Sequence, residues 1–142
     1  MSIILEFYKN GVVLRHSGII TDEELMQAEH DIYDHAYPEQ LQFQIVDLVE
    51  VEDFPASDET MRLLGQKDHA LAKTLNRQHI VVIAPNIYRN KGIIWEKWAQ
   101  DTNTHNPAIL TRIVDTAEEA IQWLEGHGVD ASSCSHYVGD IL

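Results

Sequence analysis

The chain alternates short apolar runs with amphipathic stretches over most of its length. Ile3 to Lys9 and Val12 to Ser17 are rich in β-branched and aromatic residues, and Asn10-Gly11 falls between them. An Asn-Gly pair in that setting predicts an antiparallel hairpin closed by a type I′ turn, whose two central residues need positive φ. Thr21-Asp22-Glu23-Glu24 reads as a capping box, with Ile20 and Leu25 at the hydrophobic-staple positions. The helix it starts is expected to run to about Ala36, with Leu25, Ala28, Ile32 and Ala36 on one stripe and Met26 and Tyr33 beside it. Pro38 bars its continuation.

A strand is expected from about Leu41 to Leu48 or Val49. An acidic, proline-marked turn follows, then a second helix over Asp58 to Leu75, striped by Met61, Leu64, Leu71, Ala72 and Leu75, with Asp68 set oddly inside the stripe. His79 to Ala84 is a near-continuous apolar run, the pattern of a parallel strand buried on both faces. A third helix starts between Asn86 and Gly92 and ends near Asp101, with Ile94, Trp95, Trp98 and Ala99 as its apolar face. Ile109 to Val114 is the last strand. Thr116-Ala117-Glu118-Glu119 repeats the capping box and opens a helix carrying Ala120, Ile121, Trp123 and Leu124, ended by Gly126 and Gly128.

An opening hairpin followed by alternating helices and strands predicts an α/β fold. Its sheet is mixed and mostly parallel, with about five strands packed with about four helices. No linker or repeat interrupts residues 1–126, so these form one domain, and 127–142 make a weakly patterned tail.

Charge narrows the partners. Among 142 residues, 23 are acidic and 10 are Lys or Arg, for a formal net charge of −13. Such a field repels phosphate backbones and anionic lipid surfaces, so neither nucleic acid nor membrane insertion is expected. It suits plain solubility or a basic protein partner. No apolar run approaches the ~20 residues that span a bilayer, and Met1 to Glu6 does not read as a signal peptide. The single Cys134 excludes an intramolecular disulfide and fits a reducing compartment, so the expected location is cytoplasmic.

Candidate chemistry is sparse. The sequence holds no nucleophile elbow, phosphate loop, zinc-protease, Cys-x-x-Cys or dinucleotide motif, so no enzyme and no cofactor are expected. His127, Cys134 and His136 are ligand types, but their spacing matches no standard zinc site, and no metal is expected. Asp47 ends a buried strand, Asn86 follows the next, and Arg89 and Lys91 lie in a short basic loop. Ligands of open α/β sheets bind outside the carboxyl ends of strands, so these four are the candidate ligand site. Asp115 ends the last strand in the same way, or, beside Thr116, bonds a neighbouring loop or caps the helix. Ile93, Trp95 and Trp98 form an apolar segment suited either to core packing or to an interface. Ser57 before Asp58-Glu59 is an ordinary helix N-cap or a phosphosite.

The order of elements resembles the STAS superfamily, and within it the SpoIIAA-like branch of small bacterial proteins. The residues that carry the resemblance are Ser17-Gly18-Ile19-Ile20-Thr21, Ile45-Val46-Asp47-Leu48 with the Phe54 turn, Ile80-Val81-Val82-Ile83-Ala84-Pro85, and Val114 to Leu124. It spans roughly residues 1–125. The resemblance implies a domain without intrinsic catalysis that acts by association with a protein partner or with itself as a homodimer. In the anti-sigma-factor antagonists a serine after the third strand is phosphorylated by a partner kinase, and Ser57 stands at the corresponding position. The antagonists carry an Asp-Ser-Ser/Thr-Gly motif there, whereas this chain has Phe54-Pro55-Ala56-Ser57-Asp58-Glu59. Some relatives are linked to apolar or lipid-like ligands. The alternative expectation is therefore a small-molecule binding domain with an apolar or anionic ligand at the strand ends.

Overall fold

A computed structural model describes residues 3–34, 41–53, 59–60, 62–63, 78–84 and 109–134. The chain forms β1 (Ile3–Phe7), β2 (Gly11–Ile19), α1 (Asp22–Tyr33), β3 (Phe43–Asp53), β4 (Gln78–Ile83), β5 (Ile109–Val114) and α2 (Ala117–Gly126). A 3-10 turn over Ser132–Cys134 follows. The strands make one five-stranded sheet in the order β1-β2-β3-β4-β5. β1 is antiparallel to β2, and every later pair is parallel. This is the mixed, mostly parallel α/β sheet expected from the pattern, with β3 at its centre. Of the second helix, Glu59, Thr60, Arg62 and Leu63 are helical; its remainder, with Asp68, and the whole third helix lie outside the described residues.

Two apolar layers follow from the period-two alternation of the strands. On one face Val12 and Leu14, Val46 and Leu48, and Ile80 and Val82 meet Leu25, Ala28 and Ile32 of α1. On the other, Val13, Phe43, Ile45, Val81 and Ile83 meet Ala117, Ala120 and Leu124 of α2. Full burial of each Val, Leu or Ile contributes roughly 1.5–3 kcal/mol, so α1 is held mainly by Leu25 and Ile32 and only secondarily by its propensity. The segment after α2 adds Val129, Ala131 and Cys134 to the second layer. It is tied to the first hairpin by Asn10, whose Nδ2 donates to the Asp130 carbonyl at 2.6 Å. The described part of the weakly patterned tail thus contributes three residues to the core while His127, Gly128, Asp130 and Ser132 stay exposed; 135–142 lie outside the described residues.

The start of α1 is as the sequence predicts. Thr21 Oγ1 accepts from Glu24 N–H at 3.3 Å, and Glu24 Oε2 accepts from Thr21 N–H at 3.2 Å. Thr21→Ala removes the first bond and is expected to lower stability by about 1 kcal/mol, read as a lower urea midpoint with an unchanged slope. The box at Thr116 is only half formed. Glu119 N–H donates to Thr116 Oγ1 at 3.1 Å, but Glu119 Oε2 reaches past the cap to Asp115 N–H at 3.4 Å. This bond uses the backbone of Asp115.

The hairpin forms, but not around Asn10-Gly11. Tyr8 N–H donates to the Gly11 carbonyl at 2.8 Å, and Phe7 pairs with Val12. The chain therefore reverses over Lys9 and Asn10, and Gly11, already in β2, has no positive φ. Its small size serves a different contact, with Phe43 of the neighbouring strand.

Candidate functional site

β4 accompanies β3 only from Phe43 to Asp47. β2 stays paired with β3 as far as Ile19 and Asp53. Beyond Asp47 the two strands project past β4 as a ribbon. Both are longer than the sequence pattern suggests, because residues 50–53, expected as turn, are strand.

The ribbon is irregular at its base. Arg15 pairs with Asp47 but Ser17 with Glu50, so His16 on β2 faces two residues of β3, the geometry of a bulge. The Val49 N–H at that bulge donates to Asp47 Oδ1 at 2.9 Å. Asp47, 7% exposed, does not end its strand as the sequence suggests, because β3 runs on to Asp53. It stands where β4 stops and uses one carboxylate oxygen to stabilise its own strand. A second register shift lies between Gly18 and Ile19. There Gly18 takes φ +67°, a conformation that side chains rarely adopt.

His16 occupies the inner side of the first bulge. It is 3% exposed, on the same face as Val12 and Leu14. Its Nδ1 lies 3.0 Å from the Leu14 carbonyl. Burial lowers its pKa from 6.5 to about 4, while the Leu14 bond, the Asp47 charge and a backbone hydrogen bond with Asp47 act weakly in the other direction. The ring is therefore neutral at pH 7.

The outer surface of the ribbon is different in kind. Ile19 is 55% exposed, and Glu50 and Glu52 are exposed with it. Ile20 turns into the core, and the chain then enters α1 with Asp22, Glu23 and Glu24 in its first turn. One exposed apolar side chain of β2 thus shares this end of the sheet with carboxylates of β3 and of the start of α1. An arrangement of this kind complements a basic surface that can also cover an isoleucine.

At the opposite end of the sheet, His79 of β4 meets Trp123 of α2 and His127, the residue that caps it. The ring centroids are 5.5 Å apart for each contact of His79 and 4.8 Å apart for Trp123 and His127. His127 Nδ1 lies 2.9 Å from the Trp123 carbonyl and so helps to close the helix. Cys134 is buried, bonds the Ala131 carbonyl, and has its pKa pushed up to about 11 by burial, which makes it a poor nucleophile at pH 7. Among the described residues no three His, Cys, Asp or Glu side chains gather as a metal ion would require. No helix among them is long and apolar enough to cross a membrane.

Of the residues singled out from the sequence, Asp47 is placed as described. Ser57, Asn86, Arg89, Lys91, Ile93, Trp95, Trp98 and His136 lie outside the described residues. Two positions were not singled out beforehand, His16 and Ile19. For His16 the signal was available: it continues the alternation Val12, Leu14, His16, which places an ionisable side chain on a buried face. For Ile19 no local signal exists, because its exposure depends on the pairing of Ser17 to Ile19 with a distant strand.

No family model matches the chain, and no match is found among curated proteins. The solved structures similar to this chain include two of one protein. One is the Bacillus cell fate determinant SpoIIAA in its phosphorylated form, with a TM-score of 0.52 and 17% identity over 86% of this chain and 98% of that one. The other is the anti-sigma factor antagonist SpoIIAA in its unphosphorylated form, with a TM-score of 0.55 and 16% identity over 87% of this chain and 98% of that one. At such identities the likeness is one of fold, and the fold of this chain is SpoIIAA-like.

Proposed function

We propose that this chain is a non-catalytic regulatory domain that works by binding a basic protein partner through the projecting end of β2 and β3. The observation that carries the reading is Ile19, 55% exposed, at the end of a strand whose partner β3 exposes Glu50 and Glu52 and which leads into α1 with Glu23 exposed. The SpoIIAA-like fold supports it, since one similar structure is described as an anti-sigma factor antagonist. An apolar centre ringed by charge is the ordinary anatomy of a specific interface, with the apolar contact supplying affinity and the rim supplying steering and selectivity.

The test is cross-linked affinity capture from the source cells, with wild-type chain beside Ile19→Lys and Glu50→Lys/Glu52→Lys. A basic protein held by wild type, released by raised salt and lost by roughly tenfold or more in both variants is the expected result, since truncating a central contact typically removes over 1.4 kcal/mol of binding. An identical set of captured proteins from all three baits would sink the reading.

A further inference from the structure

The outer edge of β1, which has no neighbouring strand among the described residues, carries a second surface at Ile3 to Leu5, independent of the ribbon. The Tyr8–Gly11 bond sets the phase of the β1–β2 ladder. In an antiparallel pair, hydrogen-bonded and non-hydrogen-bonded positions alternate. Ile4 and Glu6 therefore point their backbone groups at β2, and the N–H and C=O of Ile3 and Leu5 point away from the sheet. Natural edges are usually blunted by proline, bulges or unpaired charge. β1 has no proline and no register shift, and its one charge, Glu6, is neutralised by Arg15 at 2.9 Å. Beside that ion pair stands Ile4, 56% exposed, the most exposed large apolar side chain among the described residues.

We propose that β1 pairs with β1 of a second copy of this chain, antiparallel, about a two-fold axis at Ile4. This register joins the outward groups of Ile3 to those of Leu5 in the partner, and the reverse, giving an isologous contact. Ile4 then faces its own copy in a non-hydrogen-bonded pair, where side chains approach most closely, and the exposed isoleucine is covered by its equivalent. A two-fold at Leu5 would instead set Ile4 opposite Glu6, an apolar group against a charge. The two sheets join into one of ten strands. A five-residue strand buries less than the ~1,600 Å² of a standard stable interface, so the association is of micromolar strength and is sought at about 100 µM protein. Because each copy carries a net charge of −13, added salt strengthens it.

Purified full-length chain tests this in two ways. Light scattering at about 100 µM should show a dimer that gains population with salt. Leu5→Pro should abolish it, since that N–H points away from β2 and its loss costs the sheet no hydrogen bond, although Leu5 also packs on the first layer. Ile4→Lys, at an exposed position, should do the same without touching the backbone or the core. Separately, Ile4→Cys treated with diamide should form a disulfide-linked dimer roughly tenfold or more faster than Ile19→Cys, an equally exposed site, because pairing raises the effective concentration of the two thiols. Buried Cys134 does not compete. A monomer at every salt concentration, a dimer unchanged by Ile4→Lys, or equal cross-linking of the two cysteine variants overturns the proposal. None of these outcomes bears on Ile19 and its acidic rim as a partner site.

Discussion

Gly11→Ala should lower stability by about 3 kcal/mol, at the upper end of what one added methyl costs in a packed interior. Gly11 and Phe43 are register partners across β2 and β3. A Cβ on Gly11 would fall onto the Cζ, Cε1 and Cε2 atoms of the Phe43 ring. The ring has little freedom to move aside, because it is fully buried in the layer that includes Val13, Ile45, Val81, Ala120 and Leu124. Moving it displaces α2 or separates the two central strands. The cost should therefore depend on the ring. In a Phe43→Leu background, Gly11→Ala should cost less than about 1 kcal/mol, which a double-mutant cycle of urea unfolding measures directly. An equal cost in both backgrounds would mean that the glycine is required for its backbone and not for space.

His16 should make the fold acid-sensitive. Its pKa in the folded chain is about 4 against 6.5 for the free side chain. The unfolded chain therefore binds the proton more readily, and stability is fully present above about pH 6.5, falls as the pH drops from there toward 4, and then levels off. At about 1.36 kcal/mol per pKa unit the total loss from this residue is roughly 3 kcal/mol. Carboxylates and other histidines titrate in the same range, so the quantity to measure is the difference between wild type and His16→Gln, which keeps a donor near the Leu14 carbonyl but does not titrate. The two stability curves should converge by roughly 3 kcal/mol between pH 6.5 and 4. Parallel curves would show that the ring is not held neutral.

What could be read from the sequence was what is decided locally. The capping box at Thr21 is complete within four residues, and both its bonds are present. The apolar run Ile80 to Ile83 is buried as expected, because a strand flanked on both sides and covered on both faces has no polar positions to confuse the pattern. Errors arose where distant pairing overrode local preference. Glu50, Glu52 and Asp53 have the composition of a turn, yet Ser17 to Ile19 hold them as strand. Asn10-Gly11 has the composition of a type I′ turn, yet Gly11 is committed to the ring of Phe43. At the candidate site the same division holds. Asp47 could be placed on a buried strand from its neighbours, but that the strand continues past it to Asp53 depends on pairing with β2. Its bond to Val49 depends on a bulge, and the exposure of Ile19 depends on the ribbon.

The strands lie in the sheet in the order in which they occur in the chain. Each strand thus joins the one made just before it, and the sheet can grow edgewise during synthesis without any strand having to insert between two already paired. Only the β1–β2 hairpin is local, however; the parallel pairs, such as Phe43 with His79, each close a long loop, which slows folding. The closure between Asn10 and the Asp130 carbonyl spans 120 residues. Val129, Ala131 and Cys134 cover the second layer only when that closure is made. A nascent chain that lacks this segment therefore leaves exposed the part of the second layer that Val129, Ala131 and Cys134 cover beside α2.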